Sequence, residues 1–226
     1  MTATLTAPKA TAVEEEQRFL FKRLRWDQYV TISDALPEHR GLRMIFLDGS
    51  LQFLTKSLRH EWSVRTLDYI VALIASACEI TIMPAGETTF RREDLDAGAE
   101  GDATFYFGEN AGRMKGRRTV DLETDPPPDL AIEVEVSHPA DVAMGVWGRL
   151  GVPEVWRVDA VNDRITFWLR REDGAYEQAS QSQFLPMFLP ADLVELLRLA
   201  DEIGASPFLA RVPVWARDVL MPRCGA

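Results

Sequence analysis

Short runs in which apolar and other residues alternate recur along the chain, and this period of two predicts β-strands. The run "RMIFLDGSLQFL" (43–54) has apolar residues on both sides of Asp48-Gly49, which predicts a two-residue hairpin. Further strands are predicted at "EITIM" (79–83), "GETTFRR" (86–92), "ATFYF" (103–107), "GVPEVWRVD" (151–159) and "RITFWLR" (164–170).

Two other segments show the spacing of an amphipathic helix. Residues 61–78 predict a long helix, and Ser57 is suited to cap its start. Its apolar side comprises Val64, Leu67, Ile70, Val71, Ile74 and Ala77. A final helix is predicted to begin at Pro190 and to end at Gly204, since proline suits the first turn and glycine the residue after the last.

These strands and helices predict one α/β domain over residues 18–226, with a C-terminal helical extension. Residues 1–17 lack the apolar core of a secretion signal, and we expect them to form a disordered tail. The triple proline at 126–128 lies between two apolar strands and therefore predicts a turn rather than a domain boundary.

Composition narrows the class of protein. Of 226 residues, 46% are hydrophobic and 27% charged, as in ordinary globular proteins, and no apolar run reaches the length of a membrane span. With two cysteines and no disulfide framework, we expect a cytoplasmic location.

The net charge of −10 argues against non-specific coating of nucleic acid. Two basic segments, "RFLFKRLR" (18–25) and "GRMKGRR" (112–118), could still form a local groove, although solvated charge is the favoured interpretation.

Residues 129–136, "DLAIEVEV", predict a strand with one apolar and one acidic face, because side chains alternate between faces. The acidic face carries Asp129, Glu133 and Glu135. Carboxylates crowded in a partly enclosed site repel one another, and a hard cation such as Mg²⁺ or a set of basic partners would offset that repulsion. An antiparallel strand with one solvated face explains the same alternation without any ion.

A further acid, Asp102, precedes the "ATFYF" strand, and an aspartate followed by Glu-x-Glu on the next strand resembles the PD-(D/E)XK nuclease arrangement. The order "LDGSLQFL … LRHE … TTFRRED … GDATFYF … PPPDLAIEVEVS … GVPEVWRVD" is similar to a bacterial family of that superfamily described as "putative restriction endonuclease". The resemblance implies a restriction endonuclease-like core, with a central mixed β-sheet flanked by helices.

The same resemblance implies that Asp102 and Glu133 bind Mg²⁺ (or Mn²⁺). Glu135 stands where the nuclease signature has its lysine, and a glutamate there could be a third metal ligand or accept a proton. The chain departs from the family at three more positions. Gly101 replaces the proline that usually precedes the first aspartate. Ala143 replaces a basic residue four positions before an aromatic, and Ile45 replaces a glutamate near the hairpin.

The His60-Glu61 pair matches a pair at the start of the long helix in the subgroup that this chain most resembles. His60 could act as a general base or contact phosphate, and Glu61 could replace the missing acid; a structural role for both is the alternative. Other basic candidates are Lys56 and Arg59, as substitutes for the lost lysine, and Arg91 and Arg92, as phosphate contacts.

The sequence therefore predicts a Mg²⁺-dependent endonuclease that hydrolyses phosphodiester bonds of DNA. The alternative is a catalytically impaired module of the same fold that binds metal, DNA or a protein partner. A glycosidase is disfavoured, because adjacent carboxylates on one strand suit a shared ion better than the two sides of a sugar. We expect no membrane partner, and a homodimer is left open.

Overall fold

The computed structural model describes residues 16–36 and 41–224, and the strands in these ranges form two sheets. Most of the predicted tail lies outside the described residues. Glu16 and Gln17, however, already hydrogen-bond to Ser137 and Thr55, so the structured domain begins before the predicted boundary at residue 18.

The larger sheet is mixed and has six strands in the order β11-β10-β9-β8-β7-β4. Its members are β4 (Ile82–Pro84), β7 (Ala103–Phe107), β8 (Leu130–Glu135), β9 (Glu154–Asp159), β10 (Arg164–Arg170) and β11 (Tyr176–Ala179). β8 and β9 are parallel and every other neighbouring pair is antiparallel. The predicted central mixed sheet is confirmed. β4 begins later than predicted, because Glu79 takes a left-handed conformation (φ 57°) as the chain leaves the preceding helix.

The second sheet is antiparallel, with the order β1-β3-β2-β6-β5. It comprises β1 (Arg18–Phe21), β2 (Leu42–Leu47), β3 (Ser50–Thr55), β5 (Thr89–Arg92) and β6 (Ala97–Glu100). Asp48 (φ 47°) and Gly49 (φ 70°) join β2 to β3, and two positive φ angles are typical of the predicted hairpin turn. The sequence predicts β2, β3 and β5, but it does not predict β1 or β6, and the segment of β6 is predicted as a loop. It also does not say that these strands form a separate sheet.

The helices are α1 (Trp26–Ala35), α2 (Leu58–Ala77), α3 (Gly108–Met114), α4 (Asp141–Leu150), α5 (Pro190–Ile203), α6 (Ala205–Trp215) and α7 (Met221–Cys224), with a π-helical turn at Ala216–Leu220. Ser57 caps α2 as predicted, because its hydroxyl accepts a hydrogen bond from the backbone of His60. Gly204 (φ 76°) ends α5, also as predicted. Within the described residues, no helix is long and apolar enough to cross a membrane.

Three apolar clusters hold these layers together. The largest lies between one face of the six-stranded sheet and α2, α5 and α6. The second surrounds α4, which packs against β2 and β6 and so lies between the two sheets. The third joins α1 to the outer face of the five-stranded sheet. The arrangement brings β2, the start of α2 and the acidic strand β8 to a common cleft.

Candidate functional site

Two of the predicted acids meet beneath this cleft, and the group between them is the guanidinium of Arg43. Arg43 Nη1 lies 3.1 Å from Asp102 Oδ2, and Nη2 lies 2.5 Å from Glu133 Oε2. Its Nε donates to the carbonyl of Glu100 at 2.6 Å. All three ionised side chains are buried, at 5% exposure for Arg43, 1% for Asp102 and none for Glu133. The floor of the cleft, defined as Arg43, Asp102 and Glu133, is a buried ion triad.

The remaining oxygens of the two acids have neighbours of their own. Asp102 Oδ2 also accepts from the backbone of Val134 at 2.9 Å, and Glu133 Oε1 accepts from Trp147 Nε1 at 2.7 Å. Gly101 makes room for this indole, since a Cβ at that position would lie 3.3 Å from the Trp147 ring and 2.5 Å from Thr104. The glycine found in place of the family's proline therefore lets Trp147 reach Glu133.

His60 completes the surroundings of the triad. Its Nε2 lies 3.2 Å from Asp102 Oδ1, close enough for charge attraction but without hydrogen-bond geometry. The ring is 4% exposed, and its Nδ1 has no hydrogen-bond partner among the described residues. The Ser57 cap fixes the first turn of α2 and thereby fixes the position of this imidazole.

The charges of the floor shift one another's pKa. Burial would raise the pKa of Asp102, but Arg43 and His60 outweigh it and hold that pKa well below its usual range. At Glu133, burial and the charge of Asp102 outweigh the attraction of Arg43, so the pKa is raised. Burial lowers the pKa of His60, yet Asp102 raises it more. Two carboxylates and one guanidinium leave an excess negative charge, which favours a proton on a neighbouring group.

The cleft above the floor has a volume of about 30 Å³, room for one or two water molecules. Arg43 and His60 line it, whereas Asp102 and Glu133 do not, so the cationic side chains separate the acids from the cleft. Ile45 and Ala143, which replace the family's glutamate and basic residue, also line it. Apolar groups thus occupy the places where the family pattern has an acid and a base.

Several predicted site residues lie elsewhere. Glu135 accepts from Arg157 Nε at 2.5 Å and from the backbone of Ala140, so it stabilises the start of α4 instead of joining the floor as a third ligand. Asp129 accepts from the backbone of Phe107 and from Asn110 at the start of α3. The three predicted ligands therefore do not converge on one point: Asp102 and Glu133 share the floor, whereas Glu135 lies apart. The described residues contain no cluster of three or more His, Cys, Asp or Glu that could hold a metal ion, and metal binding by Asp102 and Glu133 stays a prediction.

The other basic candidates divide between the cleft and remote positions. Lys56 lines the cleft, with Nζ 2.6 Å from Glu87 and 3.7 Å from Glu61. Glu61 also lies 3.9 Å from His60 Nδ1. The three arginine candidates do not line the cleft. Arg59 pairs with Asp201, Arg91 with Asp34 and Arg92 with Asp94.

A Mg²⁺ ion does not fit this arrangement of the floor. Carboxylate oxygens are suitable donors, but one oxygen of each acid already contacts the Arg43 guanidinium, which has the place of a shared cation. Sequence reasoning missed Arg43 altogether. The available signal was a lone charged residue on the alternating strand "RMIFL", on the same face as Ile45, where the family pattern has its glutamate.

Comparison with known proteins agrees with the motif order. The family model Uma2, described as "Putative restriction endonuclease", matches residues 26–201. Among solved structures, the chain is similar to a "putative nuclease belonging to DUF820" from Anabaena variabilis, at 13% sequence identity and a TM-score of 0.53. That likeness covers 77% of this chain and 99% of the other, and it shows a shared fold. No curated protein matches the chain.

The family match spans most of the chain and includes β2, α2, Asp102, β8 and α4, the elements that build the cleft and its floor. The resemblance predicted from the sequence is confirmed, and the chain belongs to the Uma2 family of restriction endonuclease-like proteins.

Proposed function

We propose that this chain is a DNA-binding protein of the nuclease fold in which Arg43 takes the place of the catalytic metal ion, so that DNA is bound without being hydrolysed. DNA is the ligand class because the family is described as "Putative restriction endonuclease", and restriction endonucleases act on DNA. The single observation that carries the proposal is the pairing of one guanidinium with both Asp102 and Glu133 at full burial.

Electrostatics supports the loss of hydrolysis. A buried guanidinium that is hydrogen-bonded to two carboxylates is costly to remove, because each charge left behind would be desolvated and unpaired. A divalent cation would have to displace Arg43, or share a small volume with it against strong repulsion. Lysine is absent from position 135 and from position 143, so the groups that would stabilise a developing anion are missing as well.

The second candidate is a Mg²⁺-dependent DNA endonuclease. It is favoured by the placement of Asp102, which directly precedes β7, and of Glu133 in β8, since both contact the same cationic group. Under this hypothesis, His60 or Lys56 would serve in place of the lysine, since both line the cleft. It requires Arg43 to leave the acids when metal binds.

Two assays on the full chain distinguish these functions. Supercoiled plasmid is incubated with millimolar Mg²⁺ or Mn²⁺, and binding of a fluorescent DNA duplex is measured in EDTA. The proposal predicts binding in EDTA and intact plasmid with either metal. Nicking by the wild type that is abolished in Asp102→Asn and in Glu133→Gln, but kept in the exposed control Glu177→Gln, would establish the second candidate instead. Absence of duplex binding would refute the first.

A further inference from the structure

The edge strand β1 begins at the mouth of the cleft, where Glu16 and Arg18 line it. It pairs with β3 alone, all four of its residues are exposed, and the residues before it contact both walls of the cleft. The backbone N–H of Glu16 donates to the Ser137 hydroxyl at 3.1 Å, and the carbonyl oxygen of Glu16 lies 3.0 Å from His138 Nε2. The carbonyl oxygen of Gln17 accepts from the backbone of Thr55 at 3.0 Å. These bonds fix where β1 begins, and so fix Arg18 at the mouth.

Three cations of this segment form no ion pair with a carboxylate in the part of the chain that the structure describes. Arg18, Lys22 and Arg23 are exposed, and none of them forms an ion pair within residues 16–36 and 41–224. Arg25, two residues further on, is paired with Asp27 at 2.9 Å. In a chain of net charge −10, neighbouring cations that form no ion pair with any described residue can bind an external polyanion.

Arg18 also connects this segment to the candidate site, because it lines the same cleft as Arg43 and His60. We propose that residues 18–23, here called the basic edge, contact the phosphates of a DNA duplex and guide its backbone to the cleft. This inference rests on the proposed DNA-binding function and assigns the surface that carries it. The unpaired backbone groups of an edge strand add hydrogen-bond donors for the same phosphates.

The aromatic residues of β1 do not contribute to the phosphate path. Phe19 and Phe21 alternate with Arg18 and Leu20, so they lie on the opposite face of the strand. There Phe21 packs edge-to-face against Phe53, with ring centroids 5.8 Å apart. Binding by the basic edge should therefore be electrostatic and sensitive to salt, with little contribution from base stacking.

The test is a salt titration of duplex binding in EDTA, measured by fluorescence anisotropy. Removing one cation that neutralises a phosphate should make the slope of log affinity against log salt shallower by about 0.9. Arg18→Gln/Lys22→Gln should therefore flatten the slope by roughly 1.8 and weaken binding on the order of tenfold at low salt. The charge-retaining variant Arg18→Lys/Lys22→Arg should keep both values.

The matched control is Lys115→Gln/Arg118→Gln, which removes the same charges from an exposed segment after α3. That segment follows the far end of β7, roughly 17 Å along the strand from Asp102. For this control variant, the slope of log affinity against log salt should equal that of the wild type. An unchanged slope in the Arg18/Lys22 variant, or an equal flattening in the control, would overturn the basic edge while wild-type binding still supported the proposed function. No binding by the wild type would overturn both.

Discussion

At the floor of the cleft Arg43 is buried and paired with two carboxylates, whereas at the mouth Arg18 is exposed and has no carboxylate partner among the described residues. The two arginines lie on strands of the same sheet, β2 and β1, and both line the cleft. Arg43 neutralises charges of the protein itself. Arg18 is exposed and can bind a phosphate of the proposed DNA partner.

The role of each arginine follows from its exposure to water. A buried charge needs partners within the protein, whereas an exposed charge does not. Arg43 and its acids have lost their water, so each is stable only while the others are present. Arg18 keeps its water of hydration, so folding carries no large desolvation penalty at this residue. For the same reason, its charge contributes little to the stability of the fold. The floor should therefore govern stability, and the mouth should govern binding. Substitutions at the two places should separate these roles.

The largest effect is expected from Arg43→Met, which leaves two buried carboxylates without their cation. Breaking a buried ion network in this way costs about 3–5 kcal/mol, a large part of the total stability of a domain. Urea denaturation measures the change. Arg43→Lys keeps the charge with fewer donors and should lose less. If Arg43→Met lowered the free energy of unfolding by less than Arg18→Met does, the floor would not be the stabilising ion triad described above.

A smaller loss is expected from Trp147→Phe. The substitution removes the Nε1 donor to buried Glu133 while keeping an aromatic ring, and an unsatisfied buried acceptor costs about 1–3 kcal/mol. Trp168→Phe is the control, because its Nε1 donates to Thr166 at a half-buried position. Equal changes in the two free energies of unfolding would show that the bond to Glu133 adds nothing.

His60 predicts a pH effect whose sign follows from its raised pKa. The charged imidazole stabilises the fold next to Asp102; this contribution is complete below the ordinary pKa of 6.5 and is lost as the pH rises through the higher pKa of the folded state. Relative to His60→Gln, the wild type should therefore lose free energy of unfolding as the pH rises from acid to mildly alkaline values. A parallel pH dependence in both proteins would show that His60 does not titrate against Asp102.

The smallest effect on stability is expected at the mouth. Arg18→Gln/Lys22→Gln should change the free energy of unfolding by less than about 0.5 kcal/mol, because both side chains are exposed and unpaired within the described chain. Thermal unfolding at equal salt measures it. A loss comparable to that of Trp147→Phe would mean that the mouth is part of the folding core and would remove the contrast between the two regions.

The fold class could be predicted because its main signals are local, although the sequence does not predict β1, β6, β11, α1 or α3. The Asp48-Gly49 turn, the Ser57 cap and the alternation of residues 129–136 each depend on neighbours in the chain. The site could be predicted only in part. That Asp102 and Glu133 belong together followed from motif order, but their partner Arg43 lies 59 and 90 residues away in sequence, and no local pattern reports such a contact.

Glu135 illustrates the same limit. Alternation places it on the same face as Glu133, yet Arg157 of the parallel neighbour β9 draws its carboxylate away from the floor. The sequence pattern gives the face of a strand but not the charges that the next strand presents there.

Calorimetric titration of the wild type with Mg²⁺ and Mn²⁺ decides whether Arg43 already serves as the cation shared by Asp102 and Glu133. Our expectation is no saturable heat in the wild type and none in Glu133→Gln. Saturable binding of one ion by the wild type, abolished by Glu133→Gln and retained by Glu177→Gln, would contradict it.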